Sequence, residues 1–115
     1  MCSKDVLNKV TEKICTAAKE VLGEKLEKVV LFGSYARGDN DEESDVDIMV
    51  LADIAPEDVD KTRDKIRDLM EYIDLYNDVL VSLVIVCSAI YHKYGSVSRF
   101  YMNVQKDGVE LYAAA

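Results

Sequence analysis

Two short apolar runs separated by a glycine, a serine and a polar spacer constrain this chain more than any other feature in it. Lys28 to Phe32 reads Lys-Val-Val-Leu-Phe and ends at Gly33, which predicts a buried strand. Asp45 to Leu51 predicts a second strand, in which Val46, Ile48 and Val50 alternate with Asp45, Asp47 and Met49. Gly33 to Ser44, between them, is polar with two glycines and four acidic residues, and predicts a loop or a short helical turn. Read together, the pieces give Gly-Ser, ten residues, then Asp-x-Asp.

Each part of that pattern has a physical use. Gly33 at a strand end lets the backbone turn sharply and approach a phosphate with no Cβ in the way. Ser34 adds a hydroxyl donor, and the amides after it can open a helix whose N-terminus attracts anions. Asp45 and Asp47 are two apart on a strand, so both carboxylates leave one face, where they can bind hard cations such as magnesium. Those cations would hold a triphosphate and stabilise charge during in-line displacement.

The flanking sequence supplies the layers. Apolar residues from Val6 to Leu22 recur at helical spacing, with Ser3 as the expected N-cap and Gly23 as the stop. Pro56, followed by Glu57 and Asp58, opens a second helix expected to reach about Leu75. Asp78 to Val86 is rich in β-branched residues and predicts a third, buried strand. Ser88 is the expected cap of a helix through Tyr94, broken at Gly95. Ser98 to Lys106 predicts another helix, and Val109 to Tyr112 a small edge strand. The order α-β-β-α-β-α-α indicates an α/β (α+β) domain, with a small mixed sheet of three or four strands flanked by helices. Its 115 residues provide for one core, so residues 1–112 read as a single domain and Ala113-Ala114-Ala115 as a cloning remnant.

Charge and cysteine content narrow the partners. With 14 Lys and Arg against 22 Asp and Glu, the net charge is −8, which opposes binding to a long nucleic acid; a small polyanion carried by metal ions remains compatible. Cys2, Cys15 and Cys87 are odd in number and far apart, which suggests reduced thiols in a cytoplasmic protein. No apolar run suits a signal sequence or a membrane span.

These residues carry a resemblance. The Gly33-Ser34 turn, the ten-residue spacer, Asp45-x-Asp47 and the Ala36-Arg37-Gly38 triplet resemble the minimal nucleotidyltransferases of the DNA polymerase beta type. The likeness runs from the first helix to the third strand. It implies a nucleotidyltransferase fold and transfer of a nucleoside monophosphate, AMP from ATP, to an acceptor hydroxyl. In that reading Gly33, Ser34 and Arg37 bind the nucleotide, and Asp45 and Asp47 hold two magnesium ions. Minimal members often sit beside a helical HEPN-type toxin and act as antitoxins, some by adenylylating it, so the resemblance implies a protein partner. A homo-oligomer is also compatible with the short length.

Fully active members carry a third carboxylate on the strand after the intervening helix. Counted from the strand's end, that position here is Ser82, while Asp78 has the same parity four residues, or about 13 Å, away. A second reading follows, in which the protein keeps the fold and neutralises a HEPN-type partner with little or no catalysis. Transfer to a small molecule such as an aminoglycoside is a weaker third reading, because enzymes of that kind carry a further substrate domain.

Plainer roles compete for several residues. Arg37 is either a phosphate clamp or a surface charge offsetting Asp39, Asp41, Glu42 and Glu43, a run that itself reads as a solvated loop. Tyr35 packs under the turn in preference to stacking on a base, and His92 reads as exposed or interfacial rather than catalytic. Tyr91, Tyr94, Phe100, Tyr101 and Tyr112 either complete a core or form an interface, with the core as the default.

Overall fold

The structure, a computed structural model, describes residues 4–41, 45–77 and 80–114. Helix α1 spans Lys4–Leu22 and leads through a short 3-10 turn into β1, Leu26–Phe32. A single helical turn, α2 (Ser34–Arg37), precedes β2 (Val46–Ala52). Pro56–Asp58 form a 3-10 turn ahead of α3, Val59–Asn77, where proline's fixed φ suits a helix entrance. Strand β3 (Val81–Cys87), helices α4 (Ser88–Tyr94) and α5 (Arg99–Asp107), and strand β4 (Val109–Ala113) complete the chain.

The four strands form one mixed sheet in the order β3-β2-β1-β4. Strand β1 pairs antiparallel with both β2 and β4, while β2 and β3 run parallel. The parallel pair needs a crossover, which α3 supplies across one face. On that face Val29, Leu31, Ile48, Val50, Leu83 and Ile85 pack with Val10, Ile14 and Ala18 of α1 and Ile66 and Met70 of α3. The opposite face presents Val30, Met49, Leu51 and Val86 to Val104 of α5, with Tyr91 and Tyr101 packed against them. Strand β2 is buried on both faces, which accounts for its nearly unbroken apolar sequence.

Several expectations change in detail. Strand β3 begins at Val81 rather than at Asp78, after Leu80, an exposed residue whose carbonyl accepts from the Val46 amide at 2.9 Å. Ser88 is the first residue of α4 and buried; the cap position is Cys87, with no side-chain hydrogen bond. Ser98 does cap α5, accepting from the Tyr101 amide at 3.4 Å. Ala113 belongs to β4 opposite Lys28, and the Ala114 amide donates to the Glu27 carbonyl at 2.8 Å, so these two of the alanines set aside in the sequence take part in backbone pairing with β1. The expected cap at Ser3 and the possible third acid Asp78 lie outside the described residues.

Candidate active site

The predicted motif converges at one end of the sheet. Phe32, the last residue of β1, is the register partner of Asp47 on β2, and Asp47 is in turn the partner of Ser82 on β3. Register partners share a face, so Phe32, Asp47 and Ser82 form a row across three strands on the side facing α4 and α5. Asp45 lies one residue ahead of β2 and is exposed.

Gly33 turns the chain directly over this row. It adopts φ 76°, a conformation that L side chains rarely take, and a Cβ there would overlap the Asp47 carboxylate. The Arg37 amide donates to the Gly33 carbonyl at 3.1 Å and the Gly38 amide to the Ser34 carbonyl at 2.9 Å. The first amides of this turn lie ahead of its first internal hydrogen bond. Tyr35 and Ala36 pack against the core on the α1 and α3 side, so Tyr35 anchors the turn from beneath.

Asp47 is the electrostatic centre of the site. Burial raises its pKa above the ordinary carboxylate range, and the negative charge of Asp45 raises it further. The Arg37 guanidinium and a hydrogen bond from the Ser82 hydroxyl act in the opposite direction without cancelling the rise. A half-buried carboxylate pressed by a second one is a site that a cation would relieve. The missing Cβ of Gly33 leaves the Asp47 carboxylate room to lie against the turn, and its hard oxygen donors suit a divalent ion. Among the described residues no group of three or more His, Cys, Asp or Glu side chains gathers as metal ligands.

Arg37 makes the surface contact that the sequence allowed and also acts on the site. Its Nε sits 3.1 Å from Asp39 Oδ2 in a solvent-exposed pair, while its charge still acts on Asp47. His92 is exposed, 3.7 Å from Glu27, and stands apart from the row. The late aromatic residues divide: Tyr91 and Tyr101 pack into the second core cluster and Tyr112 against the first, whereas Tyr94 and Phe100 remain substantially exposed. Phe100 meets Phe32 edge to face with centroids 5.4 Å apart, placing an aromatic wall beside the Asp47 row. Sequence spacing did not reveal that contact, because it joins β1 to a helix far along the chain. A groove of about 850 Å³ continues along β3, lined by Val84, Val86, Ile90, Tyr94, Phe100 and Tyr101.

A mixed sheet that ends in a glycine-serine turn over paired aspartates, backed by helices on both faces, has the architecture of a nucleotidyl-transfer domain. The chain belongs to the nucleotidyltransferase domain family, which it matches over residues 11–108. A protein of Methanocaldococcus jannaschii named "putative protein adenylyltransferase" is 40% identical over 91 residues, 79% of this chain and 84% of its own length. A second protein of that organism, with the same descriptive name, is 32% identical over 104 residues, 90% of this chain and 96% of its own. Among solved structures, a toxin-antitoxin complex with AMP-PNP aligns with a TM-score of 0.57 and 25% identity, covering 90% of this chain and 73% of that one. No helix among the described residues is long and apolar enough to cross a membrane.

Proposed function

We propose that this protein transfers AMP from ATP to a hydroxyl on a partner protein, as the antitoxin of a cytoplasmic pair whose toxin is of the HEPN type. The observation that carries the reading is the placement of Gly33 against the Asp47 carboxylate, with Asp45 adjoining. Asp45 and Asp47 would hold two magnesium ions, whose charge would offset that of the triphosphate and of the reacting α-phosphoryl group. Gly33 and Ser34 receive the β- and γ-phosphates, and Arg37 exchanges its exposed contact with Asp39 for a phosphate oxygen. The acceptor hydroxyl oxygen bonds to the α-phosphorus as the bond to the bridging oxygen breaks, its proton passes to water, and pyrophosphate leaves with the electron pair of the broken bond. The protein-adenylyltransferase names of the relatives support a protein acceptor, and the AMP-PNP complex of the structural neighbour supports an adenine nucleotide.

Ser82 favours a second reading. A hydroxyl stands where a third carboxylate would complete the row, so the protein could neutralise its partner by contact with little catalysis. Incubation with magnesium, α-labelled ATP and the co-encoded partner separates the two. Label transfer that disappears in Asp45→Ala/Asp47→Ala is expected. Partner neutralisation without transfer, equal in the wild type and the double variant, would establish the contact reading instead.

A further inference from the structure

We infer that Ser82 is a positioning residue, whose hydroxyl holds the Asp47 carboxylate in the orientation from which it takes a divalent cation. The inference rests on the proposed role of Asp45 and Asp47 as cation ligands. Its basis is the row across the sheet. Asp47 sits on an interior strand, with Phe32 and Ser82 as its register partners on either side. On the β1 side, Gly33 lets the carboxylate come up against backbone where any Cβ would intrude. On the β3 side, the only donor offered by the register is the Ser82 hydroxyl, which hydrogen-bonds to the carboxylate.

The composition of β3 sharpens the point. Its seven residues read Val-Ser-Leu-Val-Ile-Val-Cys, and the single hydroxyl falls level with Asp47. Without a donor on that side, the carboxylate would be free to rotate about its bond to Cβ, because Gly33 limits approach without offering a side-chain contact. An ionised carboxylate has about four acceptor sites, so a hydroxyl can occupy one and leave the rest for a cation. Partners of this kind, behind a ligating group, typically set metal affinity by about 10-fold to 100-fold. A carboxylate in the place of Ser82 would ligate a cation directly. The serine instead adds no charge to a pair of acids that already repel.

Binding of Mn2+ to the full chain, followed by electron paramagnetic resonance with saturating α,β-methylene-ATP, tests the assignment. The nucleotide cannot react by adenylyl transfer, and a protein-free control accounts for Mn2+ held by it alone. Ser82→Ala should bind Mn2+ about 10-fold more weakly than the wild type. Ser82→Thr, which keeps the hydroxyl, should return to within about twofold, with urea midpoints showing all variants folded. Equal affinity in Ser82→Ala and the wild type overturns the inference while leaving the cation site standing, as does a Thr variant as weak as the Ala one. Mn2+ binding by the wild type no greater than by Asp45→Ala/Asp47→Ala overturns the cation reading and the role of Ser82 with it.

Discussion

At Gly33 two requirements coincide: a positive φ and a surface with no side chain against the Asp47 carboxylate. Gly33→Ala should therefore cost about 1–3 kcal/mol in urea unfolding and also weaken Mn2+ binding, because the added methyl displaces the carboxylate. Asp47 carries a pH signature. Its pKa in the folded protein lies above the ordinary carboxylate value, so the native state holds that proton more tightly than the unfolded chain does. Wild-type stability, relative to Asp47→Asn, should thus fall as the pH rises from the ordinary carboxylate value through the raised one, and the deficit should stay constant above it. Urea midpoints from pH 3.5 to 7.5 would show this, and magnesium at neutral pH should narrow the difference by stabilising the wild type alone. The acids and the glycine were legible in the sequence because their spacing is a local matter. The bond from Ser82 and the ring contact between Phe32 and Phe100 were not, since each depends on which strands and helices become neighbours.

Among the elements, periodicity, β-branched runs and turn residues anticipated the longer helices and the strands to within a few residues at their ends, while α2 was expected only as a loop or a short helical turn. Asp78 was read into β3 because the valine-rich run continues toward it, whereas the ladder with β2 begins at Val81. Ser88 was read as a cap on residue type, but the strand runs through Cys87 directly into the helix and leaves no intervening capping residue. A tight passage joins α5 to β4: Gly108 donates its amide to the Val104 carbonyl at 2.8 Å, and a Cβ there would strike that carbonyl oxygen and the Val30 side chain. Gly108→Ala should therefore destabilise the fold by about 1–3 kcal/mol in urea titration, as expected of overpacking. Mn2+ binding should survive it, because Gly108 lies next to β4 while Asp47 sits on β2 and Asp45 just ahead of it, across β1.

For the molecule as a whole, the sheet divides labour between its faces. The side covered by α1 and α3 holds the larger core, and the side under α4 and α5 holds the Asp47 row with the groove beyond it. The chain as a whole carries a net charge of −8, so in the proposed reaction a triphosphate would arrive with its cations rather than as a bare polyanion. The row also joins segments well separated along the chain, Phe32 and Asp47 from the β1–β2 pairing and Ser82 from the far side of the α3 crossover. Neither the antiparallel pair nor the crossover alone assembles it. An unfolded or half-folded chain therefore has no such site to offer, and ligand binding is coupled by mass action to the completed sheet. Magnesium with nucleotide at about 100 times its dissociation constant should add roughly 2.7 kcal/mol to the unfolding free energy, visible as a concentration-dependent rise in melting temperature. In a cell, the supply of nucleotide would then help determine how long the folded protein persists against proteolysis.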